Sequence, residues 1–322
     1  MDISGRRPIE TIDLEFGVNH VFSCASTSYW SARTDLEPGK EISVSWKWDM
    51  RRSGSIPPGA AVWWRWRVTD DLGQEFLTPL QETEFADVRF DWQSHTDGNV
   101  TFRWYAGGED FGRRVADGVR SGLDTLRLGK ELVTPITVYL YESSQDVRGA
   151  VLFAQEWTGG LAFIRHNIIL ITVVPANIDR GLPGVVHELA HLLVEEVTFN
   201  CFGGLPTWLD EGLAVYAEGG LPQFQRSALE EAIAADNLIS LPSLNSSFPA
   251  GHSGAILSYA QSYSLVAYLL DAYGWPKMQE LLAVFSQGSA DEKAIRQVYG
   301  WGYEDLETAW RQSIGLPPRP KE

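Results

Sequence analysis

Basic residues are scarce in this chain: 26 Lys and Arg stand against 42 Asp and Glu over 322 residues, a formal net charge of -16. Binding to nucleic acid is disfavoured, because neutralising phosphates takes clustered Lys and Arg, and adherence to anionic membranes is disfavoured for the same reason. Acidity of this kind most simply keeps a surface soluble. Long apolar runs are missing too. No uninterrupted stretch approaches the ~18 residues needed to cross a bilayer, so membrane insertion is not expected. Met1 to Glu10 has no apolar core of the signal-peptide type, and the expectation is a cytoplasmic protein or one whose leader has been removed. Only two cysteines occur, Cys24 and Cys201. They fall in different expected domains, and two free buried thiols are expected. There is no internal repeat and no low-complexity tract.

With 44% hydrophobic and 21% charged residues the composition is that of an ordinary folded protein, and the length suggests two domains. Ile42, Val44, Trp46 and Trp48 alternate with polar residues, as do Val62, Trp64, Trp66 and Val68, which is strand periodicity. Pro57-Pro58-Gly59, Asp71-Leu72-Gly73 and Asp97-Gly98 punctuate these runs at hairpin spacing, and Val100, Phe102 and Trp104 begin another. An immunoglobulin-like antiparallel β-sandwich over residues 1–103 is the expected architecture. Its many Trp residues are assigned to core packing rather than to sugar stacking.

After about residue 105 the pattern changes. Phe111, Val115, Val119, Leu123 and Leu126 mark an amphipathic helix, Ile136, Val138 and Leu140 a strand, and Ile168 to Val174 an apolar strand. Beyond Glu211 the reading is helical: Gln223 to Ala235, Ala255 to Ala272, Pro276 to Ser286 and Tyr303 to Ile314. The whole is an α+β protein, with a second domain over 104–322 that has a small sheet and a mainly helical C-terminal half.

The most informative segment is His187-Glu188-Leu189-Ala190-His191. Residues four apart share a helix face, so His187 and His191 can direct imidazole nitrogens at one metal ion, with Glu188 beside its water as a general base. Pro183 suits the first turn of this helix. Val185, Val186, Leu189, Leu192, Leu193 and Val194 make it apolar, and burying two His and a Glu among them without partners is costly. A third ligand is supplied by the next helical pattern, Trp208 to Tyr216, with Thr207 as its N-cap and Glu211 in its first turns. Cys201 as a fourth ligand would close the open position on which catalysis depends.

HELAH followed after a short loop by PTWLDEGLAVYAEG resembles the gluzincin metallopeptidases, in particular the peptidase MA-like domain related to the M1 aminopeptidase and thermolysin groups, over roughly residues 104 to 322. The resemblance implies one Zn2+ per chain on His187, His191 and Glu211, with Glu188 as the catalytic base. It also implies an oxyanion donor at Tyr259, where Tyr259-Ala260-Gln261-Ser262-Tyr263 opens a register similar to that of the M1 enzymes; His252 is the alternative. Two departures stand out. The place of the M1 GxMEN strand reads Thr158-Gly159-Gly160-Leu161-Ala162-Phe163, without a carboxylate to anchor a free amine, and Val215 occupies the position four after Glu211 where thermolysin-type proteins carry an acid. Asp210 and Glu218 are the open candidates for orienting the imidazoles.

The expectation is therefore a zinc peptidase acting on peptides or proteins, endopeptidase rather than aminopeptidase, with the segment Gly159 to Phe163 pairing with extended substrate. The alternatives are a binding protein that keeps the peptidase fold as a scaffold, and a zinc hydrolase of a non-peptide amide or ester. An Ig-like front on such a domain implies an exported, extracytoplasmic protein.

Overall fold

The computed structural model describes residues 1–24, 29–130, 133–152, 159–246, 248 and 252–320, without the side chains of residues 53, 252 and 253. The chain is α+β and divides into two compact units, Met1–Asp91 with Ser144–Thr158, and Trp92–Ser143 with Gly159–Glu322. The boundary expected after residue 103 thus falls after Asp91.

In the first unit the strands are β1 (Asp2–Val18), β2 (Trp30–Arg33), β3 (Gly39–Ser43), β4 (Ala61–Asp70), β5 (Glu75–Leu77) and β6 (Gln81–Glu84), with a short helix α1 (Met50–Ser53). They form one antiparallel sheet in which β1 and β4 are the spine: β1 pairs β2, β3 and β4, and β4 pairs β5 and β6. The second facing sheet that an immunoglobulin-like sandwich requires is absent among the described residues of this unit, where every strand hydrogen-bonds to β1 or β4. Alternation places Ile12, Leu14, Phe16, Trp66 and Val68 in a common apolar cluster, over which Trp46, Trp48 and Trp64 pack. The Trp residues do serve packing: Phe16 contacts the rings of Trp30, Trp46 and Trp48. β3 ends at Ser43, so Trp46 and Trp48 reach this cluster from irregular chain.

The second unit is built on β7 (Gln93–Asp97), β8 (Val100–Trp104), β9 (Ile136–Tyr141), β10 (Gly160–Phe163) and β11 (Ile168–Thr172) in the order β10-β11-β9-β8-β7. β8, β9 and β11 run parallel, while β7 and β10 are antiparallel edges. The hairpin β7–β8 has the alternation of the preceding strands, but its partner is β9, which explains why the boundary lies earlier than the texture of the sequence suggests.

The helices that follow along the chain are α2 (Phe111–Leu123), α3 (Ser144–Ala150), α4 (Ile178–Thr198), α5 (Thr207–Ala217), α6 (Gln223–Ala234), α7 (His252–Ser286), α8 (Asp291–Tyr299) and α9 (Tyr303–Ser313). α3 belongs to the first unit. Val138, Leu140, Ile169 and Ile171 of the sheet share one core with Val115 and Val119 of α2 and Leu189 and Leu193 of α4. α7 is broken at Gly274, whose φ of 74° is left-handed, just ahead of Pro276, so the two helices expected there are distinct. α4 starts at Ile178, a turn earlier than expected from Pro183, which sits inside the helix where its ring removes one helical hydrogen bond. Pro206 takes the cap of α5 instead of Thr207, whose hydroxyl donates to the Asn245 carbonyl. Both cysteines are disulfide-bonded and none is free. The expectation of free thiols fails because a disulfide depends on local Cα geometry and not on sequence separation. No helix among the described residues is long and apolar enough to cross a membrane.

Candidate metal centre

Two helices meet at the site. α4 contributes His187, Glu188 and His191, α5 contributes Asp210 and Glu211, and Glu218 caps the end of α5. The two helices approach closely, and α7 packs against α5, where a Cβ on Gly212 would stand 2.5 Å from the Ser262 carbonyl oxygen. Gly212 therefore sets how deeply the turn bearing Glu211 is seated.

His187, His191 and Glu211 converge, with potential ligand atoms all within 4.8 Å of one another. Nε2 of His187 and of His191 lie 3.2 and 3.5 Å from Oε2 of Glu211. That oxygen is buried and has no hydrogen bond of acceptable geometry, the condition of an atom whose partner is a cation. The opposite ring nitrogens are occupied. Nδ1 of His187 lies 2.7 Å from Oε1 of Glu218 in a hydrogen bond, and Nδ1 of His191 lies 3.0 Å from Oδ2 of Asp210 in a less well aligned contact. Holding Nδ1 with a carboxylate leaves Nε2 to act as ligand. Two imidazoles, each with a carboxylate at its far nitrogen, and one carboxylate fit a tetrahedral zinc with one open position.

The electrostatics without an ion follow from this packing. For His187, burial opposes the proton, yet the carboxylates of Glu211 and Glu218 carry its pKa up to about 9. For His191, burial likewise opposes, and the Asp210 carboxylate outweighs it, holding the ring well above its ordinary range. Burial raises Glu211, but the two imidazoles pull it down to about 2. A cation-demanding pocket of this kind takes up protons when it holds no metal.

Glu188 is turned toward the sheet edge. Burial raises its carboxyl above the ordinary range, against the lowering effect of both imidazoles and of a hydrogen bond from the Ala162 backbone N–H. The strand that provides this N–H is β10, the outer strand of its sheet. A Cβ on Gly160 would stand 2.9 Å from Oε1 of Glu188. The Gly-Gly pair in an apolar run is the signal for such a close approach, although nothing in the spacing points to Glu188 as the neighbour.

Tyr259 also reaches the site. Its ring centroid is 6.0 Å from that of His187 and 5.1 Å from Phe248. Burial, then the carboxylates of Glu211, Glu188 and Glu218, push its phenol well above the ordinary value, so it stays protonated and a donor. Tyr263 stacks on Tyr216 and Tyr268 meets Tyr273, away from the histidines. The side chain of His252 lies outside the described residues. Cys201, disulfide-bonded, is not available as a ligand.

The model of the Peptidase MA superfamily matches residues 122–315. Among solved structures, the chain is similar to the M1 zinc metallopeptidase from Deinococcus radiodurans at 15% identity and a TM-score of 0.41, over 99% of this chain and 90% of that one. It is similar also to a mutant two-domain M1 zinc metallopeptidase bound to L-tryptophan, at 14% identity and a TM-score of 0.40 over the same shares. A third is a mutant M1 zinc metallopeptidase from Deinococcus radiodurans bound to a Tyr-Ser-Ala substrate, at 16% identity and a TM-score of 0.39, again over 99% and 90%. No curated protein matches.

Proposed function

The chain belongs to the Peptidase MA superfamily, and from that premise we propose that it is a zinc-dependent peptidase, with one zinc held by His187, His191 and Glu211, that cleaves peptide bonds within chains rather than at free N-termini. The observation that carries this reading is the buried, unbonded Oε2 of Glu211 facing two imidazoles whose other nitrogens face carboxylates at 2.7 and 3.0 Å. Zinc, when bound, supplies a Lewis acid and lowers the pKa of water toward neutrality.

The chain's own residues do the rest. Glu188 takes a proton from the attacking water and delivers it to the departing amine, a role its raised pKa and the orienting N–H of Ala162 suit. Tyr259, kept protonated, donates to the carbonyl oxygen as that atom gains charge. The outer strand β10 offers backbone groups for an extended substrate. Ala162 and its neighbours bring no carboxylate to bind a free amine, which supports internal cleavage. Disulfide-bonded cysteines support an extracytoplasmic setting.

The test is metal analysis combined with hydrolysis of an internally quenched, N-acetylated peptide and of aminoacyl-coumarins. One zinc per chain, cleavage of the blocked peptide and its loss on chelation or in Glu188→Gln are expected. Zinc without turnover of either substrate overturns the peptidase reading, and cleavage of the coumarins alone overturns the endopeptidase part.

A further inference from the structure

The antiparallel sheet of the first unit contains a cleft lined entirely by residues of that unit. β4 pairs β1 only from Ile9 onward, and on its other side β1 shifts register against β3 between Ser4 and Ile9. The ladder opens where β4 turns into β5 through Gly73, whose φ is 76°. The result is a cavity of about 550 Å³, within the range of small-molecule sites.

Its walls are Ile3, Ile9, Val68, Phe76 and Leu77. Phe76 and Leu77 remain 58% and 47% exposed, and apolar wall of this kind gains by being covered. The polar groups around it are unequal. Arg7 is engaged by Asp71 through two bonds of 2.6 and 3.0 Å, and Asp70 accepts from the N–H groups of Leu72 and Gln74. Arg6, also in the lining, has no ion pair or hydrogen bond among the described residues. A guanidinium left without a carboxylate in a chain of net charge -16 is an anion-binding group in search of its partner.

We propose that this cleft binds a single-chain amphiphile with an anionic head, of the class of a fatty-acid carboxylate, its alkyl chain on the apolar walls and its carboxylate on Arg6. Apolar burial favours the chain, the free guanidinium selects the sign of the head, and the half-enclosed shape admits one chain. The site is independent of the metal centre and stands or falls apart from peptidase activity.

The experiment is calorimetric titration of the full chain with dodecanoate, dodecanol and dodecyltrimethylammonium, each below its micellar concentration. Saturable binding of one dodecanoate is expected, about tenfold tighter than dodecanol, with the cation weakest. Arg6→Gln brings dodecanoate to the level of dodecanol. Leu77→Asp, at an exposed wall position, abolishes dodecanoate binding with the thermal unfolding midpoint retained. Absence of saturable binding overturns the proposal, as does equal affinity for dodecanoate and dodecanol with no effect of Arg6→Gln. An apolar peptide that saturates the cleft where dodecanoate does not would assign it to a protein partner and overturn it likewise.

Discussion

Oε1 of Glu218 lies 2.7 Å from Nδ1 of His187, and across the ring Nε2 faces Oε2 of Glu211 at 3.2 Å. A carboxylate on each side fixes both the orientation and the tautomer of this imidazole, one carboxylate as the aligner and the other as the proposed co-ligand. Asp210 does the same for His191 from 3.0 Å. Of two acids whose roles the sequence left open, each takes one histidine.

The alignment has a measurable worth. Glu218→Ala is expected to weaken zinc binding by about 10–100-fold, read by competition with a chromogenic chelator. Asp210→Ala is expected to weaken it less, because its contact with His191 is longer and poorly aligned. Unchanged affinity in Glu218→Ala would mean that the ring is held by packing alone.

Protons and zinc compete for the same nitrogens. Without metal the carboxylates around it raise His187 to about 9 from its ordinary 6.5, and Asp210 raises His191 well above its own value, so the metal-free site favours the protonated rings. Zinc takes neutral imidazole, so binding at pH 7 should release protons, with apparent affinity rising as the pH climbs toward about 9. For the metal-free protein the sign is fixed by the raised folded value: the stabilisation from His187 is complete below pH 6.5 and is lost as pH climbs through about 9. Titrations in two buffers of different ionisation enthalpy count the protons, and identical apparent enthalpies would contradict the assignment.

Catalytic substitutions separate base from donor. Glu188→Gln is expected to lower kcat by about 10²–10⁴ while zinc stays bound, and Tyr259→Phe by about 10²–10³ with KM little changed. A Tyr259→Phe enzyme at full kcat would return that ring to the packing role it shares with Phe248.

Helical spacing made the centre legible, because two histidines four apart on an apolar helix leave few other geometries. The partners of those histidines were not, since Asp210 and Glu218 precede and follow Glu211 at distances that place either near the metal. The first unit was harder. Alternation in β4 tells which residues are buried but not which strand lies alongside, and a spine of β1 and β4 has the same signature as half a sandwich. The β7–β8 hairpin shares the alternation of the strands before it, and its parallel pairing with β9, across more than thirty residues of chain, leaves no mark in that pattern. Gly160 and Gly212 were visible as glycines, while the atoms that exclude a side chain, on Glu188 and on the Ser262 carbonyl, come from other elements.

Gly212 offers a stability test at the site's foundation. A Cβ there would meet the Ser262 carbonyl oxygen at 2.5 Å and a Val266 methyl at 2.6 Å, and backbone cannot yield as a side-chain tip does. Gly212→Ala is expected to force α5 away from α7 at a cost of about 1–3 kcal/mol and to weaken zinc binding by displacing Glu211. Thermal unfolding with and without zinc distinguishes the two effects, and a variant as stable as the parent would show that the helices part freely.

Glu15, 2% exposed, accepts from Arg65 at 2.6 Å and Arg67 at 2.9 Å on the neighbouring strand. Burial raises its pKa, but the hydrogen bonds from Arg67 and then Arg65 prevail and hold it below the ordinary 4.5. A depressed carboxylate contributes stability that is complete above its unfolded value and is lost as pH falls through the folded one. Both guanidinium groups are about one-third exposed, so solvent screening limits the effect of Glu15→Gln at pH 7 to about 2 kcal/mol. The difference between parent and variant in urea unfolding should therefore shrink as the pH is taken from 7 to below 4. A difference that stays constant over that range would mean that the substitution acts through packing and that the charge of Glu15 contributes nothing.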